Sequence, residues 1–336
     1  MEEVLLGILG GQSTHKQIAR PPMSLESIDD RALHLQINAI EISTVKGYAT
    51  GARDYISFCL KFSLPLTPTP QTLARYIAYT SKYIASAPKY LTGARHFLKE
   101  IYPDFDTNCA HPLVQSTIGG SKKIRADPIR RKQPLCLSHL EAFAHIAHTT
   151  CTYDDLLFAT LLSCCFYGCH RSGELVWKND RDQWDWRKVI KRASLSFPNN
   201  RMQYRLPYHK GDPFYHGTDI LFTHHDSADP IALMHDYITQ RDRLHGARPA
   251  LFIRADGSIP TRSWFDRKFF TILDRDFGGH SPRVGAATYY ASLGLAESII
   301  QALGRWSSQA WKIYIRNNPT IRAEQQLAAI RLHNHL

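Results

Sequence analysis

The stretch that decides the fold lies near the carboxyl end of the chain and reads HSPRVGAATYYASLGLAESIIQALGRWSSQAWKIYIR, from His280 to Arg316. His280 and Arg283 are three residues apart, so on a helix their side chains share one face. A Gly-Arg-Trp group follows at 304–306, and Tyr314 comes eight residues after its tryptophan. A helical tyrosine is usually a packing residue and a single histidine usually a satisfied cap or core group. The stretch therefore gains meaning only together with other segments.

Two segments upstream add polar residues where a core would not need them. The sequence GCHRSGEL, residues 168–175, places Arg171 three residues before Glu174 at a predicted helix start, a spacing that supports an ion pair. The sequence LPYHKGD, residues 206–212, places Lys210 at the tip of a predicted β-hairpin. Each segment alone is typical of a surface ion pair or a solvated turn.

The rest of the chain predicts a mainly α-helical protein with a small β-sheet. Apolar residues recur at helical spacing from Ala32 to Thr117, interrupted by the proline-rich break at 65–70. Helical patterns resume after Pro134, and strand-like runs follow at Ala193–Phe197, Met202–Pro207 and Asp219–Thr223. The predicted organisation is a mobile arm (1–31), an all-helical domain (32–120), a basic linker (121–133) and a mixed α/β domain (134–336).

Composition indicates a globular protein with an anionic partner. The 336 residues include 41 Lys and Arg against 30 Asp and Glu, a formal charge of +11. Such an excess favours nucleic acid as partner first and an anionic membrane surface second.

The longest apolar run, Leu156–Cys169, is too short to span a bilayer. The first residues lack the pattern of a secretion signal, and seven cysteines, an odd number, favour reduced thiols. We therefore expect an intracellular protein without membrane insertion.

Nearly half of the excess charge lies in the predicted linker. Ser121–Gln133 contains six basic residues and one acid, a net charge of +5. This pattern fits a solvated linker, or one that follows a phosphate backbone and releases counterions there. Under the second alternative, the basic side chains of this segment contact DNA: Lys122, Lys123, Arg125, Arg130, Arg131 and Lys132. No phosphate-binding loop, dinucleotide fingerprint or zinc-ligand spacing occurs, so neither a metal site nor a nucleotide cofactor is predicted.

Taken together and in this order, the segments resemble the catalytic signature of the tyrosine recombinase (phage integrase) superfamily. The resemblance covers about Ala32 to Leu336. Within the superfamily, the chain most resembles recombinases of eukaryotic mobile elements, crypton-like or DIRS-like. It implies a helical core-binding domain and a mixed α/β catalytic domain that close around duplex DNA as a C-shaped clamp. The basic linker joins two domains of this kind.

The resemblance also implies roles for individual residues. They are Tyr314 as nucleophile, Arg171 and Arg283 as phosphate clamps, Lys210 as general acid, His280 as proton acceptor and Glu174 as support for the first arginine. Attack on a phosphodiester concentrates negative charge on the non-bridging oxygens, and two guanidiniums can meet it bidentately. A metal ion is then unnecessary. A tyrosine with a pKa near 10 needs a proton acceptor, and the departing 5′-oxygen needs a proton donor.

The sequence departs from the family pattern at two places. Pro282 stands where the family usually has a leucine, a change that the first turn of a helix tolerates. The second His-or-Trp position of the family lies nine residues before the tyrosine, where this chain has Arg305 and places Trp306 one residue later. We favour Trp306, because its indole N–H can donate to a phosphate oxygen. Arg305 in that place would instead add positive charge at the phosphate.

The implied activity is site-specific DNA cleavage and rejoining through a covalent 3′-phosphotyrosyl intermediate, in recombination or in integration or transposition of a mobile element. The implied partners are double-stranded DNA and further copies of the chain: a dimer on DNA and a tetrameric synapse, held by a C-terminal helix within 316–336. That helix could equally fold back on its own protomer. Two alternatives stay open, a type IB topoisomerase-like relaxation activity and a non-catalytic DNA-binding protein derived from a transposon recombinase. Residence in the nucleus follows if the host is eukaryotic, with 122–132 as a localisation signal.

Overall fold

The chain divides into two compact units, Met1–Pro128 and Ile129–Leu336. The computed structural model describes residues 21–126, 131–308 and 311–312. The described part of the first unit contains helices only: α1 (Leu25–Ile37), α2 (Ile42–Lys61), α3 (Pro70–Thr80), α4 (Ala87–Leu98), α5 (Phe105–Ala110) and α6 (Pro112–Arg125).

Local sequence signals start two of these helices. Pro70 occupies the first turn of α3, and the Thr69 hydroxyl caps it by accepting the Thr72 N–H at 3.2 Å. Ser24 caps α1 by accepting the Ser27 N–H at 3.2 Å. The last seven residues of the predicted arm (1–31) are thus helical, and the mobility of the arm stays a prediction. No residue of α1 is buried, so its helical signal is local rather than a product of packing.

The core of the first unit forms where α2 crosses α4 and α3 crosses α6. Gly51 on α2 and Gly93 on α4 permit the close approach, because a Cβ on either would collide with the backbone of Tyr90 or Tyr48. The buried aromatic and aliphatic side chains include Tyr55, Phe58, Leu73, Tyr76, Ile77, Leu91 and Phe105. Burial of such side chains supplies about 1.5–3 kcal/mol each.

In the residues that the structure describes, the second unit contains helices, three short 3₁₀ turns and one sheet. Its helices are α7 (Leu137–Thr150), α8 (Tyr153–Tyr167), α9 (Ser172–Leu175), α10 (Pro230–His245), α11 (Arg262–Phe269), α12 (Ser281–Ser292) and α13 (Glu297–Leu303). The 3₁₀ turns are Arg181–Gln183, Trp186–Lys188 and Arg192–Ser194. The strands are β1 (Met202–Leu206) and β2 (Thr218–Phe222), which pair antiparallel.

Helix α8 is the centre of the second unit. Every residue from Leu156 to Tyr167 is buried, and α7, α9, α10, α11 and α12 all pack against it. A helix that is apolar on all sides is stable only when surrounded in this way. Gly285 lets α12 lie close to the segment before α7, because a Cβ on Gly285 would collide with the Leu135 backbone. The apolar run noted in the sequence is therefore the core of this unit.

The sheet is smaller than the strand-like runs predicted. Met202 pairs with Phe222 and Leu206 with Thr218, and Lys210 lies in the connection between the two strands, as predicted. The predicted strand at Ala193–Phe197 is wrong, because Arg192–Ser194 forms a 3₁₀ turn and only an isolated bridge joins Ser196 to the sheet.

The fold class is confirmed: the described chain is mainly helical with one small antiparallel sheet. The predicted linker begins differently, since α6 continues to Arg125 and includes the first five of its residues. Among the described residues, no helix has both the length and the apolar character needed to cross a bilayer.

Candidate active site

Arg171 is placed by the sharp end of the central helix. Gly168 terminates α8, Cys169 adopts a left-handed conformation at φ 49°, and the His170 N–H returns to the Cys165 carbonyl at 2.8 Å. Arg171 is then the N-terminal capping residue of α9. This path leaves the Arg171 side chain 29% exposed beside a wholly buried backbone turn. The guanidinium can thus reach a ligand at the surface of the unit.

Glu174 joins the groups around Arg171. Its Oε1 accepts from Arg171 Nη1 at 2.9 Å, and its Oε2 lies 3.1 Å from both His170 Nδ1 and Arg305 Nη2. Burial alone would raise the pKa of this carboxyl, but the His170 hydrogen bond and the charges of Arg305 and Arg283 hold the pKa well below its usual range. Glu174 is therefore an anion at neutral pH, and the predicted Arg171–Glu174 pair exists.

Arg283 is almost completely buried, at 2% exposure, on the first turns of α12. Its Nη1 donates to the Cys169 carbonyl at 2.7 Å and its Nη2 donates to the Gly304 carbonyl. Burial, followed by the charge of Arg171, lowers the pKa of its guanidinium to about 10, so the group stays charged at neutral pH. Arg283 thus ties α12 to the turn that carries Arg171.

Arg305 and Trp306 differ in what they contact. Arg305 turns inward with its side chain 7% exposed, pairs with Glu174 and donates to the Gly168 carbonyl at 3.1 Å. The Trp306 ring stacks on the Arg283 guanidinium, with 4.3 Å between the ring centre and Arg283 Cζ. The Nη1 and Nη2 atoms of Arg305 therefore donate to acceptors of the protein itself, and its contact with DNA stays a prediction.

His280 is exposed and lies directly before α12, at the position that caps the helix. Partial desolvation of the ring, followed by the charges of Arg171, Arg283 and Arg262, lowers its pKa. An imidazole next to several guanidiniums is neutral at neutral pH, and only a neutral imidazole can accept a proton. The positive charges of both predicted phosphate-binding arginines thus act on the His280 ring.

Lys210 lies in the connection between β1 and β2. It is exposed, and a cavity of about 250 Å³ is lined by Arg171, Glu174, His209 and Lys210 among others. Lys210 therefore borders the same cavity as the first arginine, Arg171, although 38 residues of chain lie between the two.

Sequence reasoning missed a buried polar chain behind the arginines. His170 is fully buried, and its Nε2 lies 2.8 Å from the Tyr204 hydroxyl while its Nδ1 faces Glu174. Burial lowers the pKa of His170 to about 4, so it is neutral and holds the carboxylate from behind. The only sequence signal was a histidine next to Arg171, which does not reveal a partner 34 residues away.

A second missed connection joins the Arg171 turn to the His280 turn. The Ser172 hydroxyl donates to the Gly279 carbonyl at 3.4 Å, and Arg262 donates to the same hydroxyl. A Cβ on Gly279 would collide with the Arg262 guanidinium. The turn before His280 thus packs closely on the Arg262 and Ser172 side chains, which would have to shift to admit a larger residue at 279.

The charges of the site do not balance internally. The described residues at its centre supply three guanidiniums, those of Arg171, Arg283 and Arg305, against the single carboxylate of Glu174. The neighbouring Arg262 has its own carboxylate partner, Asp266. Buried charge without a counter-charge is costly, so the arrangement favours a bound anion.

The remaining predicted residues are distributed as follows. Tyr314 and Arg130 lie outside the described residues. Lys122 and Lys123 are exposed in the last turn of α6, and Arg131 is exposed on the second unit. Two residues predicted to contact DNA also bond to the protein itself, since Arg125 donates to the Ser81 carbonyl at 2.8 Å and Lys132 to the Arg275 carbonyl.

The described residues contain no cluster of three or more His, Cys, Asp or Glu side chains that could hold a metal ion.

Comparison of the sequence with family models and with curated proteins gives no match. Comparison of the fold with solved structures gives 43 matching chains. One is XerH site-specific recombinase bound to palindromic difH substrate in a post-cleavage complex, with a TM-score of 0.58, 14% identity and coverage of 84% of this chain and 78% of that chain.

Two further matches have different biological settings. A lambda integrase tetramer bound to a Holliday junction matches with a TM-score of 0.54 and 14% identity, covering 93% of this chain and 84% of that chain. The Tn1549 transposon integrase in complex with transposon right-end DNA matches with a TM-score of 0.50 and 12% identity, covering 78% and 85%. The chain therefore has the fold of the tyrosine recombinases and integrases.

Proposed function

We propose that this protein cleaves and rejoins DNA at specific sites through a covalent 3′-phosphotyrosyl intermediate. What supports the proposal is that Lys210 lines the same cavity as Arg171, while the Arg283–Cys169 and Ser172–Gly279 hydrogen bonds hold the start of α12 against the Arg171 turn. A phosphodiester bears one negative charge in the ground state and gains a second as it is attacked. Fixed guanidiniums stabilise that gain without having to reorganise.

The proposed cleavage step conserves atoms and protons. The Tyr314 phenol oxygen attacks phosphorus and its proton passes to neutral His280. The bond from phosphorus to the 5′-oxygen breaks, and Lys210 protonates that oxygen. Arg171 and Arg283 bind the non-bridging oxygens, and Trp306 keeps Arg283 in place. The covalent ester retains the energy of the broken bond, so attack by a new 5′-hydroxyl rejoins DNA without ATP.

The proposed biological setting is recombination, or integration or transposition of a mobile element. In support, solved relatives of this fold include a transposon integrase with transposon-end DNA and a lambda integrase tetramer on a Holliday junction. We propose the same kind of assembly here: a dimer on duplex DNA and a tetrameric synapse, held by the C-terminal segment 316–336. The basic residues of 121–133 would follow the phosphate backbone, and the protein would act in the nucleus of a eukaryotic host.

The direct test is capture of the covalent adduct. Nicked duplexes with a randomised central segment are incubated with the protein without added metal, and adducts are isolated on a denaturing gel and sequenced. We expect a defined recovered sequence and an adduct that disappears in Tyr314→Phe. Tyr290→Phe is the matched control, because the buried Tyr290 hydroxyl bonds to the Tyr167 carbonyl at 2.8 Å.

The other outcomes of this test separate the alternatives. Strong DNA binding without any adduct would contradict the proposal and indicate a non-catalytic DNA-binding protein. An adduct at every sequence, together with relaxation of a supercoiled plasmid by the monomer, would indicate a topoisomerase-like activity instead.

A further inference from the structure

The turn that carries Lys210 is flanked by two buried polar side chains. Lys210 and Gly211 are exposed, whereas His209 and Asp212 on either side are 7% and 8% exposed. Burial of a polar group is unfavourable unless the group is hydrogen-bonded. The partners of His209 and Asp212 therefore indicate what the two side chains do.

His209 closes the turn from within. Its Nδ1 accepts the Gly211 N–H at 3.2 Å, and its carbonyl accepts the Asp212 N–H at 2.8 Å. Its Nε2 lies 3.2 Å from the Thr218 hydroxyl, at the start of β2. Since Nδ1 accepts, the ring proton is on Nε2, which donates to Thr218. One imidazole thus joins the tip of the connection to the sheet.

This arrangement requires a neutral imidazole, because a protonated Nδ1 could not accept a hydrogen bond. Burial, followed by the charge of Arg305 and that of Arg171, lowers the pKa of His209, while Glu174 and Asp212 act in the opposite direction. The net effect is a lowered pKa, so the ring is neutral at neutral pH.

Asp212 closes the other side of the connection. Its Oδ1 accepts the His216 N–H at 3.2 Å, and its Oδ2 accepts the Gly217 N–H at 2.7 Å. Gly217 has φ 75°, a left-handed conformation that glycine adopts without strain. The carboxylate therefore folds the chain after the turn back towards β2.

Residues 209–212, which we call the braced turn, lie next to Arg171 and Arg305. A Cβ built on Gly211 would be 4.0 Å from the Arg305 carbonyl oxygen, and His209 and Lys210 line the cavity that Arg171 also lines. The Lys210 backbone is thus fixed beside the cavity that Arg171 lines, although its side chain remains exposed. The sequence predicts only the tip of a β-hairpin at this place.

We propose that His209 and Asp212 are positioning residues that hold Lys210 where it can protonate the departing 5′-oxygen. The inference rests on the proposed role of Lys210 as general acid. A lysine on a mobile loop must have both its backbone and its side chain ordered at the moment of reaction, whereas a braced turn has met the backbone part of that entropic cost in folding.

The test changes the leaving group. The duplex recovered by adduct capture is prepared with the bridging 5′-oxygen at the scissile phosphate, or with sulfur in its place. A thiol has a pKa of about 8.5 against about 15.7 for water-like oxygen, so a thiolate departs without a proton donor. Adduct formation by His209→Ala should fall about ten-fold or more with oxygen, and less than about two-fold with sulfur. Asp212→Ala should behave alike, with a smaller loss.

A double variant and a matched control complete the design. His209→Ala should slow Lys210→Ala no further, because both act in one step. His216→Ala is the control: His216 is an exposed histidine of the same connection, and its bond to Asp212 comes from its backbone. It should retain the full rate with both substrates.

Three results would overturn the inference. Equal losses with oxygen and sulfur would mean that His209 supports the fold alone, and additive losses in the double variant would mean that it does not act through Lys210. A loss in Asp212→Ala with normal unfolding and no rescue by sulfur would be equally decisive where His209→Ala fails to fold. Absence of any adduct from the unchanged protein with either leaving group would instead refute the proposed function itself.

Discussion

Replacement of Glu174 by glutamine should destabilise the second unit by about 3–5 kcal/mol, as expected when one partner of a buried ion pair is removed. The carboxylate accepts from Arg171 Nη1 at 2.9 Å, from the Arg171 N–H at 3.2 Å and from Arg305 Nη2 at 3.1 Å, with His170 Nδ1 also at 3.1 Å. Glutamine keeps one acceptor oxygen but turns N–H donors towards groups that are themselves donors. It also leaves Arg171, Arg283 and Arg305 without their shared counter-charge.

The expected decrease in unfolding temperature is roughly 6–20 °C for a unit of this size. Because the pKa of Glu174 is lowered in the folded state, its contribution is complete above the unfolded pKa of about 4.3 and is lost as the pH falls through the folded value. The difference between the two proteins should thus persist from about pH 8 to pH 5 and shrink in more acid solution. Adduct formation should fall by roughly a hundred-fold, because Arg171 loses its orientation.

Calorimetry across pH, with adduct formation measured on the same samples, tests this reasoning. Glu297→Gln is the matched control, because Glu297 is 67% exposed and pairs with Lys312, an ion pair worth no more than about 1 kcal/mol. Equal unfolding temperatures of the Glu174 and Glu297 variants would refute the idea that one carboxylate neutralises the arginine cluster.

Two further predictions concern proton transfer and DNA binding. The rate of adduct formation should rise with pH around a midpoint below about 6.5, because partial desolvation and the charges of Arg171 and Arg283 lower the pKa of His280. In His280→Gln the rate should depend less on pH in this range. A midpoint of the rate-against-pH curve above about 7 in the unchanged protein would contradict the assignment of His280 as proton acceptor. Replacement of the exposed Lys122 and Lys123 by glutamine should reduce the slope of log binding constant against log salt by about 0.9 per lost phosphate contact, measured by fluorescence anisotropy. An unchanged slope would exclude these two lysines from the DNA interface.

Local chemistry made part of the structure predictable. The proline-rich break at 65–70 predicted an interruption between helices, and the structure has one between α2 and α3, because proline acts on the backbone locally. The strand expected at Ala193–Phe197 failed for the opposite reason. Its β-forming residues pair with nothing but one bridge from Ser196, and strand formation needs a partner strand that a local pattern does not reveal.

In the site, the sequence by itself determined which chemical groups are present and their order along the chain: Arg171 with Glu174, Lys210 in a connection between strands, and His280 with Arg283 at a helix start. These are spacings of a few residues, so helix and turn geometry is enough to relate them.

Only the tertiary structure decided how the groups share their charges. Arg305 and Trp306 are adjacent in sequence, yet one pairs with Glu174, 131 residues away, and the other stacks on Arg283. His170 likewise acquires its partner Tyr204 only when β1 packs against α8. The physical reason is that burial makes every unpaired polar group costly, so the packed interior selects partners across the chain that no local pattern specifies.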